Sequence, residues 1–183
     1  MGVLQYNDHE CDKKNHVCEL LRHIPRMRIS DFLQPEAIDI QLEAKSSADV
    51  ITALGTRLFK LGCVKDDFVA ATLRREADMP TGLPLGGAIN AAIPHVDIEF
   101  VNRSALALAT LKSPVVFYNM VDSEEAVPVQ LVIMLALDQP KSQIEMLQQV
   151  SGILQQPRLI EQLMAAPAAS DILALLSAAE TDA

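Results

Sequence analysis

His95 closes an apolar run, Ala91-Ala92-Ile93-Pro94-His95, and the charged residues Arg74, Arg75 and Glu76 stand upstream of it. Between them lies Pro80-Thr81-Gly82-Leu83-Pro84-Leu85-Gly86-Gly87. An imidazole of ordinary pKa, about 6.5, is a neutral nucleophile near physiological pH. Proline cannot serve a central ladder, so the run predicts His95 at the rim of a sheet, its ring accessible and its backbone firmly held. The other histidines, His9, His16 and His23, all lie within the first 23 residues, leaving His95 the only imidazole in the body of the chain.

Other chemistries are less well supported by the residue pattern. His95, Asp97 and Ser104 contain the residue types of a hydrolytic triad, but no Gly-x-Ser-x-Gly elbow presents a serine. The glycine-rich stretch lacks the Gly-Lys-Ser/Thr ending that cradles nucleotide phosphates, which argues against ATP. His9, Cys11, His16 and Cys18 offer four potential metal ligands. Their spacing is not a usual zinc pattern and their surroundings are polar, so a metal-free tail is expected.

The elements that must hold His95 follow from periodicity. Ala37–Leu42 alternates with period two and predicts a short half-buried strand. Ser46 to Asp49 can cap a helix in which Val50, Ile51, Leu54, Leu58 and Leu61 face the core, and Gly62 ends it. A second helix is expected from about Asp66 to Arg75 or Ala77, with Phe68, Val69, Thr72 and Leu73 inward. Residues 80–87 are expected to be irregular loop. Strands are expected at Ala88–Ile93, Ala105–Leu111 and Val115–Phe117, with Val129–Leu137 central and covered on both faces. Three helices then begin near Pro140, after Pro157, and after Ser170 and Asp171 as caps. The order implies a three-layer α/β/α fold, with a mixed central β-sheet flanked by helices. Residues 1–28 read as a flexible polar extension, part helical around Val17 to His23, and 29–180 as the folded domain.

Composition narrows the partners. The 183 residues carry 24 acidic against 15 basic side chains, a net charge of −9, and so lack the footprint of a nucleic-acid binder. The core is aliphatic: hydrophobic residues make up 50% while aromatics make up 4% and Trp is absent. Three cysteines form no disulfide framework. No signal peptide is recognisable and no apolar run spans a bilayer, so a cytoplasmic protein without direct membrane insertion is expected.

Three pieces in order, Leu73-Arg74-Arg75-Glu76, Pro80-Thr81-Gly82-Leu83 and Ala91-Ala92-Ile93-Pro94-His95, resemble the signature of enzyme IIA of the sugar phosphotransferase system, mannitol/fructose type. Pro140-x-x-Gln143-Ile144-x-x-Leu147, followed by Leu154-Gln155-Gln156-Pro157, resembles galactitol-type members most. The resemblance covers roughly residues 30–178, and its strength lies in the combination rather than in any one piece.

The resemblance implies a phosphocarrier that needs no metal or cofactor. The histidine-containing phosphocarrier protein would donate a phosphoryl group to Nε2 of His95, and a cysteine of enzyme IIB would receive it, in support of uptake of galactitol or a related sugar. It implies Arg75 as the phosphate-stabilising cation, a role that competes with simple capping of a helix C-terminus. Glu76 would orient rather than act as a base. Members of the mannitol and fructose type often carry a second histidine where this chain has Gln143. An amide there can donate a hydrogen bond but adds no charge, and it also suits an exposed first-turn position. An alternative implication is a regulatory protein whose phosphorylation state controls binding to a target.

Overall fold

The computed structural model describes residues 27–181. The four candidate metal ligands and the segment around Val17 to His23 lie outside them.

The chain order is α1 (Ile29–Phe32), β1 (Leu33–Leu42), α2 (Ser47–Lys60), α3 (Phe68–Asp78), β2 (Gly82–Leu83), β3 (Ala91–Ala92), β4 (Ala105–Tyr118), β5 (Ala126–Ala136), α4 (Pro140–Leu154), α5 (Pro157–Ala165) and α6 (Ala169–Thr181). A 3-10 turn, Ile98–Phe100, follows β3. The sheet runs β1-β4-β5-β3-β2. β1 is parallel to β4 and β3 to β5, while β4–β5 and β2–β3 are antiparallel. The sheet is therefore mixed, as expected. Every residue from Leu131 to Ala136 is buried, so helices cover β5 on both faces.

The caps are where composition places them. Ser46 Oγ accepts the Asp49 N–H at 3.2 Å, and Asp49 Oδ2 accepts the N–H groups of Ser46 and Lys45 at 3.0 and 2.9 Å. This reciprocal box satisfies donors that a helix start leaves orphaned. The Lys45 N–H first, then Ser46, holds the Asp49 carboxyl below the usual range. Gly62, with φ +69°, closes α2 in a conformation that a side chain disfavours. Arg57, in the last turn of α2, reaches Asp39 on β1 through Nε and Nη2, both at 2.7 Å, and the Glu36 carbonyl through Nη1 at 3.1 Å. At the other end of the chain, Glu180 of α6 accepts the N–H of Ile29 and, at 2.7 Å, the hydroxyl of Ser30.

Several boundaries differ from expectation, each for a local reason. The strand expected at Ala37–Leu42 begins at Leu33, and its burial does not alternate cleanly because its register against β4 shifts twice. The two strands expected at 105–111 and 115–117 are one, β4. Residues 111–114 bulge out opposite the single residue Gln130, and there Pro114 needs no ladder donor. The loop expected over 80–87 contains β2. Gly82 comes so close to the end of β4 that a Cβ would lie 2.5 Å from the Tyr118 carbonyl oxygen, so the missing side chain permits the bridge from Gly82 to Asn119. The strand expected at Ala88–Ile93 shrinks to Ala91–Ala92, because side chains replace ladder bonds before it. Asn90 Oδ1 accepts the Leu85 N–H and its Nδ2 donates to the Pro128 carbonyl, at 3.2 and 3.0 Å. Ser170 and Asp171 are not caps but lie within the first turn of α6, whose first bonds go to the Ala168 carbonyl.

Candidate functional site

β3 lies between β5 and β2 rather than at the sheet's edge. β2 ends its pairing at Ala92, however, so the chain at Pro94 and His95 has β5 on one side only. The Pro94 carbonyl accepts the Leu135 N–H at 2.9 Å, which fixes the backbone beneath His95. The imidazole thus stands just past the carboxyl ends of two parallel strands, where open α/β sheets place their ligands.

Both ring nitrogens have partners. Nδ1 is 2.9 Å from the Ile93 carbonyl oxygen, and Nε2 is 3.0 Å from Arg75 Nη2. A carbonyl can only accept and a guanidinium can only donate. The proton is therefore on Nδ1, and Nε2 presents a lone pair to Arg75. Protonating Nε2 would set two donors against each other. Burial is the main cause that pushes the His95 pKa below its ordinary value. The Ile93 carbonyl opposes this, the Arg75 charge adds to it, and Asp97 opposes it again.

Arg75 comes from the last turn of α3, which its amphipathic spacing holds against α2 with Phe68, Ala71 and Thr72 buried. Val69 and Leu73, also expected inward, are only partly covered. The guanidinium is under-used. Nη1 lies 3.5 Å from Asp97 Oδ1, at the limit of a hydrogen bond, and the buried Nε has no partner among the described residues. An unpaired buried donor is costly, and such a group calls for an explanation such as a catalytic role or a bound ion or water.

Glu76, the next residue, turns away from the ring. Its Oε1 accepts the Thr81 N–H at 3.0 Å and its Oε2 the Thr81 hydroxyl at 2.7 Å. Burial pushes its carboxyl pKa up, and the two Thr81 donors pull against that.

Gln143 belongs to the first turn of α4, which starts at Pro140. It lines a hollow of about 60 Å³ together with Arg75, His95 and Asp97, above the apolar Leu135, Leu137 and Leu147. His95, Arg75 and Gln143, the last equally suited by its sequence to an exposed first-turn position, therefore meet in one place, and Glu76 stands one bond-chain away. Larger grooves of about 770 and 750 Å³ lie between α5 and α6 and between β1 and α2, and neither includes His95. The small hollow carries the reactive groups, so size and chemistry part company here. Ser104 is engaged by Asp138, which donates its N–H to the Ser104 hydroxyl at 3.1 Å and accepts from it in turn, so no triad forms.

Sequence reasoning missed two participants. Asp97 was considered only as a triad member, yet it pairs with Arg75. Thr81, visible only as part of a short motif, receives Glu76. Among the described residues no group of three or more His, Cys, Asp or Glu side chains could hold a metal ion, and no helix is long and apolar enough to cross a membrane.

Comparison with known proteins gives the chain's relatives. The family model for the phosphoenolpyruvate-dependent sugar phosphotransferase system, EIIA 2, matches residues 31–179. The galactitol-specific EIIA component of Escherichia coli K12 is 34% identical over 120 residues, which cover 66% of this chain and 79% of that protein. The solution structure of the mannitol-specific cryptic phosphotransferase enzyme IIA from Escherichia coli superposes with a TM-score of 0.68. It is 22% identical and spans 83% of this chain and 99% of that one. The complex of enzyme IIA-mannitol with phosphorylated enzyme IIB-mannitol from Escherichia coli gives 0.65 at 23% identity, covering 80% of this chain and 99% of that one. These two structures share the fold.

Proposed function

The chain belongs to the EIIA 2 family of the phosphoenolpyruvate-dependent sugar phosphotransferase system, a family of phosphotransferase relay proteins, and from that premise we propose that His95 is the residue that carries the phosphoryl group. The observation behind this reading is the ring's arrangement: Nδ1–H locked on Ile93 and the Nε2 lone pair facing an arginine with an unspent buried donor.

The transfer balances without a base. The Nε2 lone pair attacks the phosphorus of a phosphohistidine on the donor, the histidine-containing phosphocarrier protein. The donor's N–P bond breaks and its electron pair returns to the donor imidazole. The Nδ1 proton of His95 stays in place, so the product is a phosphoimidazolium, its ring charge offset by the phosphoryl oxygens, with no proton to discard. In the second step a cysteine thiolate of enzyme IIB attacks the phosphorus, and the pair of the N–P bond returns to Nε2. Phosphoryl transfer needs in-line placement and neutralisation of the equatorial oxygens. Arg75 must give up Nε2 as the phosphoryl group arrives, and its Nε and Nη groups then meet the oxygens. Gln143 can add one uncharged donor from the facing wall.

The rim supports docking of a protein donor and acceptor. Met79, Ile98 and Ile144 are exposed apolar residues adjoining Asp78, Asp97 and Gln143 in the chain, and exposed apolar groups around a reactive centre suit a transient interface. The relative that carries the galactitol label supports galactitol or a related sugar as the cargo of the relay. Residues 29–180 make up the phosphocarrier domain in this reading.

Incubation with phosphoenolpyruvate, enzyme I and the histidine phosphocarrier tests it. The wild type should gain acid-labile phosphate and the His95→Ala protein none, and a galactitol-type enzyme IIB should discharge the label. Labelling that survives His95→Ala overturns the site. Labelling that no enzyme IIB discharges replaces transport with the regulatory role.

A further inference from the structure

We propose that Glu76 is a positioning residue for His95, acting through Thr81 and Ile93 to hold the imidazole in the tautomer that leaves Nε2 free. The inference rests on His95 being the phosphoryl carrier and extends that reading to a residue that never touches the ring.

A continuous set of hydrogen bonds joins the two. Glu76 accepts from the Thr81 N–H and hydroxyl at 3.0 and 2.7 Å. The Thr81 carbonyl accepts the Ile93 N–H at 3.3 Å. The Ile93 carbonyl accepts the Nδ1–H of His95 at 2.9 Å. The Ile93 carbonyl is thus held between two anchors, the Thr81 carbonyl on the Ile93 amide and the Leu135 N–H on the Pro94 carbonyl, and Thr81 sets the first of them.

The strand pairing that would otherwise place Thr81 is short and lies on one side of it: besides its pairs with β3, β2 has one bridge, Gly82 to Asn119, with the Met120 N–H donated to the Gly82 carbonyl at 2.9 Å. β2 meets β3 through only two residue pairs, Gly82–Ala92 and Leu83–Ala91. Gly82 adds no side chain to pack. So short a pair specifies its own register poorly. Glu76 supplies what the pairing lacks: two bonds from a rigid helix, one to the backbone and one to the side chain of the same residue.

The arrangement also couples the two ring nitrogens. Arg75 and Glu76 are adjacent on the last turn of α3. One reaches Nε2 directly and the other reaches Nδ1 through Thr81 and Ile93. A single helix end therefore sets the ring's position from both sides, and a displacement of about 1 Å in such a site can cost orders of magnitude in rate.

The test separates positioning from simple stabilisation by reading the tautomer. Histidine-15N-labelled full-length chains carrying Arg75→Ala are compared with and without Glu76→Ala and Glu76→Gln, since removing the guanidinium leaves Ile93 as the ring's one hydrogen-bond partner among the described residues. Long-range proton–nitrogen spectra at neutral pH should show Nδ1–H dominating in Arg75→Ala alone and with Glu76→Gln, whose amide still serves Thr81. With Glu76→Ala the Nε2–H form should rise to a comparable share. In the Arg75-containing chain, Glu76→Ala should lower the phosphorylation kcat about tenfold at nearly unchanged KM for the donor, and Glu76→Gln should stay within about twofold. A Glu76→Ala protein that keeps the Nδ1–H form overturns the proposal, as does a Glu76→Gln protein as impaired as Glu76→Ala. If Glu76→Ala fails to fold, Thr81→Val decides, with a smaller shift in the same direction expected and an unchanged tautomer overturning the idea. The spectra need no phosphate, so their outcome stands apart from whether His95 is labelled at all.

Discussion

Arg57 and Arg75 hold equivalent stations in the last turns of successive helices, where a cation complements the helix dipole. Their surroundings differ sharply. Arg57 spends Nε, Nη1 and Nη2 on Asp39 and the Glu36 carbonyl, at 2.7 to 3.1 Å. Arg75 touches a histidine nitrogen, lies 3.5 Å from a carboxylate that is 73% exposed, and leaves Nε buried without a partner among the described residues. The first is a staple between β1 and α2. The second keeps binding capacity unspent, at a cost to the resting fold. On the proposed reading, the contrast separates a phosphate-binding arginine from a structural one by the bonds it lacks.

The sharpest way to break this contrast is to remove each guanidinium in turn. Arg75→Ala should slow phosphoryl transfer to His95 by about a hundredfold, the scale of a lost oxyanion donor, while thermal stability stays within about 0.5 kcal/mol. Transfer kinetics and a melting curve on the same preparation check it. A wild-type rate would return Arg75 to the role of helix cap.

The pH dependence comes next. The His95 pKa lies below its ordinary value, so the neutral ring persists further into acid than a free histidine would. The phosphorylation rate should therefore stay level from neutral pH downward through about 6.5 and fall about tenfold per unit only below the lowered pKa. The same depression makes a stability contribution that is full above the ordinary pKa and is lost as pH falls through the lowered one. A titration of the His95 ring signals beside the rate profile checks both, and Arg75→Ala should move the ring pKa upward by removing a neighbouring cation.

The smallest effect is expected at the staple. Arg57→Ala should leave transfer unchanged and lower stability by about 1 kcal/mol, seen as a fall in Tm of about 2–4 °C, because the pair is partly solvated. A slowed transfer would dissolve the distinction between the two arginines.

The contrast also marks what the sequence discloses. The α2 cap was legible because Ser46 and Asp49 signal locally, and so was β5, whose burial on both faces leaves an uninterrupted apolar run. His95 and Arg75 could be joined through a motif whose pieces are short but ordered, whereas Gln143 suited an exposed first-turn position as well. The two arginines, by contrast, read alike: each is a basic residue near a helix end. Only long-range pairing separates them, through Asp39 across 18 positions and His95 across 20. β2 was hidden for a related reason. Its glycine and proline neighbours argue for a loop locally, and only the close approach of Tyr118 makes Gly82 a strand residue. Asp97 escaped because the 3-10 turn after His95, which has no periodic signature, decides where its carboxylate points.

The clasp of Glu180 on Ile29 and Ser30 has a topological consequence. It brings the beginning and the end of the described fold to one spot, so the domain is close to a closed ring with a single cut. A polypeptide with this property can be spliced before, after or between other modules without its ends having to cross the molecule. The acidic turn at 122–125, exposed and joining β4 to β5, is the natural place to cut the ring instead, which would leave the histidine and both arginines on uninterrupted segments of a circular permutant.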